Sequence, residues 1–230
     1  MSLKLDFNWK KLAKWVALSL LGILVLVFFI RVATWEDAYY REKEGSERDV
    51  VAKEVESAQE ELIEVEPTEE EVYEYTVDPD KPRYLTIEAL GIYNARVLEM
   101  TVDEDGALTT PNNIFDVGWY EASGKPGLGG TMLIDGHNGG PHVYGVFKRL
   151  PELEAGDIIT IERGDGVVFN YSVVENNEIP LDDSNAYMAK AMKSPVAGKE
   201  SLTLITCSGD WSWDRDTYLS RQFVRAVLID

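Results

Sequence analysis

Leu202-Thr203-Leu204-Ile205-Thr206-Cys207, followed by Ser208-Gly209-Asp210, is a short β-branched run that closes on the only cysteine of the 230-residue chain. Similar runs stand around it: YLTIEALGI (84–92), ARVLEM (95–100), GGTMLIDGH (129–137), DIITIE (157–162), VVFNYSVVE (167–175) and QFVRAVLI (222–229). Each is rich in Val, Ile, Thr or Tyr, and most are bounded by Gly, Pro, Asn or Asp clusters such as Thr110-Pro111-Asn112-Asn113 and Gly164-Asp165-Gly166. Seven or eight strands at this spacing predict an all-β domain, either a sandwich or a closed barrel. Two stretches read as short helices, YGVFKRLPEL (144–153) and SNAYMAKAM (184–192), with Ser184 as an N-cap. The roughly 150 residues from Lys81 onward suffice to bury one core.

Charge divides the rest of the chain. Residues 1–34 carry a net +4, residues 35–80 a net −14 and residues 81–230 a net −9. Between Lys14 and Arg31 run sixteen uncharged residues, WVALSLLGILVLVFFI. They span roughly 24 Å as a helix, which snorkelling Lys14 and Arg31 extend toward a ~30 Å hydrocarbon core. Trp15 and Trp35 stand where interfacial aromatics belong, and the basic flank keeps the N-terminus cytoplasmic. Residues 1–34 are therefore expected to be a signal anchor, with a cleaved signal peptide as the alternative; both export the remainder of the chain. Residues 35–80 read as an acidic stalk. Val51, Val55, Ala58, Leu62 and Val65 share one helical face, and Pro67 ends any such helix. Residues 81–230 are the expected folded domain.

Composition narrows the chemistry. A net charge of −19 argues against nucleic acid, and one cysteine excludes an internal disulfide or a multi-thiolate zinc site. No cofactor is expected. Two readings stand for Cys207: a small core hydrophobe, or a nucleophile exposed at a strand end beside a glycine turn. His137 closes the strand TMLIDGH and precedes Asn138-Gly139-Gly140; His142 in the same loop is the competing candidate. Arg221 opens the last run, with Arg225 and Arg215 as alternatives; Arg221 and Arg225 share strand parity, so position rather than face favours Arg221. Glu152, Glu154, Asp157, Asp182 and Asp183 are candidate calcium ligands, but without EF-hand spacing a solvated acidic face is the better reading. Trp211 and Trp213 either wall a substrate groove or pack at a rim.

Taken together, the Thr203–Cys207 run, the Gly136-His137 strand end, GVFKRLPELEAGDIITI (145–161) and the late arginine resemble the sortase family of membrane-anchored cysteine transpeptidases. The likeness covers the chain from Lys81 onward, with KPRYLTIEALGI (81–92) as a typical first strand and TPNNIFDVGWY (110–120) as the segment before the histidine strand. It implies a closed eight-stranded β-barrel with one or two short helices, following a transmembrane helix and stalk. It also implies a catalytic His, Cys and Arg, which fall on His137, Cys207 and Arg221. Thr206 is expected at the substrate site, orienting it by hydrogen bonding rather than reacting. The implied partners are proteins with a C-terminal LPxTG-like sorting signal, plus an amine acceptor on a peptidoglycan precursor or a protein lysine. The implied location is the cell membrane, single-pass, with the catalytic domain outside. No apolar run comes after the last strand, which argues against the pilus-building class despite Asp78-Pro79, and DVGWYEASGKPG (116–127) leans toward class F. A cysteine hydrolase and a non-catalytic tethered barrel are the competing expectations.

Overall fold

The computed structural model describes residues 62–103 and 106–229. The expected membrane span and most of the stalk lie outside these residues; among the described residues, no helix is long and apolar enough to cross a membrane.

Eight strands close a barrel. In chain order they are β1 (Pro82–Ile87), β2 (Ile92–Met100), β3 (Val117–Tyr120), β4 (Thr131–Gly136), β5 (Ile158–Arg163), β6 (Val168–Pro180), β7 (Ser201–Ser212) and β8 (Thr217–Leu228). Around the barrel the order is β1-β2-β3-β4-β7-β8-β6-β5. The β2–β3 and β4–β7 pairs are parallel and the others antiparallel. The eighth strand, absent from the runs of apolar residues, is the four-residue Val117-Gly118-Trp119-Tyr120, whose Trp119 ring is buried in the core.

Alternation explains which residues fill the barrel. Met132 and Ile134 of β4, Leu202 and Leu204 of β7, and Val224 and Ala226 of β8 belong to one core cluster with Leu85, Val97 and Tyr171. Leu133 and Asp135 of β4, and Thr203, Ile205 and Cys207 of β7, have the other parity and are on the opposite faces of those strands.

Both expected helices differ in detail. Helix α2 (Leu181–Ala191) comes after a short α1 (Glu69–Glu74) and starts three residues before Ser184. Pro180 occupies its N-cap, and the Ser184 hydroxyl donates to the Leu181 carbonyl inside the first turn at 2.7 Å. Asp182 and Asp183 in that turn suit the positive end of the helix dipole. Residues 144–153 form no α-helix. Leu150 donates to Phe147 O and Leu153 to Leu150 O, bonds of three-residue span, which place Phe147, Leu150 and Leu153 on one buried edge at the 3₁₀ repeat.

Residues 62–80 contact the barrel. Ile63 pairs with Asn113 in an isolated bridge, and the Tyr75 hydroxyl donates to the Val97 carbonyl at 2.5 Å. Thr68 and Glu71 cap α1 reciprocally.

Candidate active site

The outer face of β4, β7 and β8 floors a groove of about 520 Å³. Leu133, Asp135 and Ile205 line its base; Met188 and Met192 on the α2 side and Val102 and Leu108 from the β2–β3 connection line it as well. His137, Cys207 and Arg221 line the same groove.

Cys207 is directly opposite Arg221 in the β7–β8 register. The expectation of a strand end is corrected. β7 continues to Ser212 and β8 begins at Thr217, so Cys207 and Arg221 lie within a long ribbon. The register breaks between Ser208 and Trp211, where Gly209 adopts φ +76°. Such a bulge re-aims neighbouring side chains without ending the strand, and a residue with a Cβ would be strained at that φ.

Three of the five N–H groups of Arg221 are engaged. Nη1 donates to Tyr218 O (3.1 Å) and Ser220 O (2.9 Å), and Nη2 to Thr217 Oγ1 (3.2 Å). The Nε–H and one Nη2–H are left for an incoming oxygen. The alternatives are otherwise committed. Arg225 is buried under α2, donating to Glu175 Oε2 (2.8 Å), Lys190 O (3.1 Å) and Lys193 O (2.6 Å). Arg215 pairs with Asp182 at 2.7 Å.

His137 stands just after the last residue of β4. Its ring is held by a hydrogen bond of 2.7 Å between Nε2 and the Pro111 carbonyl. A carbonyl only accepts, so Nε2 carries the hydrogen and Nδ1 is left for proton exchange. The loop after it folds back tightly: Phe147 N donates to His137 O at 3.0 Å and Gly145 N to Asn138 O at 2.9 Å. A side chain at Gly145 would overlap His137 O. The Glu64 carboxylate accepts from the amides of His142 (2.8 Å) and Val143 (3.3 Å), so the segment preceding α1 pins this loop. The His142 side chain is exposed and does not line the groove. Thr206 donates from its hydroxyl to Gly136 O at 2.7 Å, tying β7 to β4 one residue before His137. Thr206 also lines the groove, with its hydroxyl engaged by this bond.

Electrostatics at the thiol are mixed. Burial pushes the Cys207 thiol above its ordinary value; the Arg221 charge pulls it down, and Asp135 adds a further upward push. Asp135 itself was not singled out by the sequence. It is 5% exposed, neither carboxylate oxygen has a hydrogen-bond partner, and burial raises it to about 8. Its signal in the sequence was a lone acid inside the apolar run TMLID. Among the candidate calcium ligands, Glu152 pairs with Arg149 (2.6 Å), Asp157 accepts from the Glu154 amide (2.8 Å) and Asp182 pairs with Arg215. No cluster of three or more potential metal ligands occurs among the described residues. Trp211 and Trp213 form an edge-to-face pair on the ribbon beyond the bulge, with Trp213 88% exposed, and neither lines the groove.

A family model described as a sortase domain matches residues 85–229. Among solved structures, a Clostridium perfringens sortase D5 transpeptidase is 23% identical, covering 71% of this chain and 90% of its own, with a TM-score of 0.46. Streptococcus pneumoniae sortase C is 20% identical over 73% of this chain and 75% of its own, with a TM-score of 0.47. Sortase A from Corynebacterium diphtheriae is 22% identical over 67% and 62%, with a TM-score of 0.46. No curated protein matches the chain.

Proposed function

The chain belongs to the sortase family of cysteine transpeptidases, and we propose that it cleaves an LPxTG-like sorting signal through a thioester on Cys207 and passes the acyl group to an amine. The observation that carries this reading is the convergence of Cys207, His137 and Arg221 on one groove, with thiol and guanidinium on facing residues of β7 and β8.

In the free enzyme burial holds the thiol protonated, so the reactive form is a minor one in which His137 carries the extra proton. The thiolate attacks the carbonyl carbon of the signal's threonine. The two unengaged Arg221 N–H groups stabilise the oxygen as it becomes negative, a task suited to a planar, permanently charged donor. His137 returns its proton from Nδ1 to the departing amine as the peptide bond breaks, leaving the thioester. An incoming amine, losing a proton to the same imidazole, attacks the thioester and releases Cys207. The Pro111 carbonyl orients the imidazole, so no carboxylate is needed as a third partner. The apolar sides of the groove, including Leu133, Ile205 and Met188, suit the aliphatic residues of such a signal.

In this reading residues 15–30 anchor the chain in the cell membrane, the stalk follows from residue 35 and ends where residues 62–80 pack on the barrel, and the barrel carries the catalysis outside the cell. The acceptor is an amine of the cell envelope or of a second protein. Incubating the protein with a fluorescent LPxTG peptide, with and without triglycine, tests the reaction. A ligated product by mass supports transpeptidation, hydrolysed product alone in both arms supports a hydrolase, and no turnover refutes the reading.

A further inference from the structure

An unpaired carboxyl is costly to bury, because it gives up water without gaining a partner. Asp135 is such a group, and the fold makes room for it. Its cross-strand partner on β3 is Gly118, where a methyl group would overlap Asp135 Oδ1 and Met100 Cγ. Asp135 also lines the groove that holds the reactive thiol. A polar group kept unpartnered in a binding groove is satisfied when the ligand brings the partner.

We propose that Asp135 is a specificity-determining residue of this groove, receiving a carboxamide side chain (Gln or Asn) of the donor peptide two or three residues before the scissile bond. The inference rests on the sorting-peptide reading above. The position comes from the strand geometry. Asp135 pairs with Ile205, two residues before Cys207 on the adjacent strand. That displacement is roughly 7 Å along and 5 Å across, or about 9 Å, the reach of two to three extended residues. The chemistry comes from the carboxyl's state. Burial favours its neutral form, in which it offers one O–H donor and one carbonyl acceptor, the complement of a primary amide and not of an ammonium group.

The test uses the full-length protein and the peptides Leu-Pro-X-Thr-Gly and Leu-X-Ala-Thr-Gly, with X as Gln, Asn, Leu, Met or Lys. At one of the two positions, wild type is expected to favour Gln over Leu by about tenfold in kcat/KM, the worth of about one hydrogen bond, with the difference carried by KM. In Asp135→Leu the Gln-to-Leu ratio falls to about one. Asp135→Asn, which keeps the shape and a polar pair, retains at least about a threefold ratio and carries the test if the Leu variant does not fold. A ratio near one in wild type at both positions overturns the proposal, as does selection of Lys over Gln, or an undiminished ratio in a folded Asp135→Leu. Turnover of Leu-Pro-Ala-Thr-Gly by wild type separates these results from failure of the reading itself: without it, the reading and the proposal fall together.

Discussion

Replacing Asp135 with Asn should change how the stability of the fold depends on pH. Burial raises the Asp135 carboxyl from 3.8 to about 8. Between those values the native state holds a proton that the unfolded chain releases, so stability falls as pH rises through the window. One proton corresponds to about 1.4 kcal/mol per pH unit, and four units bring the loss to about 5 kcal/mol by pH 8 relative to pH 4. Against a typical total of about 5–15 kcal/mol, that is a large share. Asn has the same shape and no proton to lose. The other titrating groups are common to both proteins and largely cancel in the difference; Cys207, which the Asp135 charge pushes upward, is held protonated by burial in either protein. Urea unfolding of the full-length protein, followed by tryptophan fluorescence at pH 4.5, 6 and 7.5, measures it. The advantage of Asp135→Asn over wild type should widen by about 1.4 kcal/mol for each pH unit. Parallel curves would show that the carboxyl is hydrated or paired in the folded protein, and the argument from its burial would fail.

Three further substitutions test neighbouring candidates. His137→Ala should lower kcat by at least about a hundredfold, the usual range for a proton-transfer group, whereas His142→Ala, whose side chain is exposed, should leave peptide ligation within about twofold. Arg225→Ala should cost about 3 kcal/mol in urea unfolding, because it strips a buried cation from Glu175 and leaves the Lys190 and Lys193 carbonyls without their donor; an unchanged midpoint would contradict the burial of that pair.

The barrel was legible because its strands are short β-branched runs separated by Gly and Pro clusters. Val117–Tyr120 escaped that rule, being only four residues long and interrupted by Gly118, which is small to clear Asp135 and Met100. The 144–153 helix was misread because buried residues three apart resemble a helical stripe until the 3₁₀ repeat is considered. Cys207 and Arg221 stand out in the sequence by residue type, but their setting does not: a bulge at Gly209 lets the ribbon run past positions that the sequence pattern places at a strand end. Residues 62–80 read as stalk because acidic composition masks a few anchoring contacts, those of Ile63, Glu64 and Tyr75. Asp135 shows in the sequence only as a lone acid in an apolar run; that it goes unpartnered, and that the Pro111 carbonyl holds His137, are invisible there for a deeper reason. Neither a missing hydrogen-bond partner nor a backbone acceptor leaves a mark in the sequence.

The measurement closest to the heart of this account is the intact mass of the full-length protein, quenched with acid within seconds of mixing with an LPxTG peptide. A mass increase equal to the acyl half of the peptide, mapped to Cys207 and released by hydroxylamine, is the predicted result. Turnover with no adduct in wild type, or the same adduct in Cys207→Ala, would contradict it.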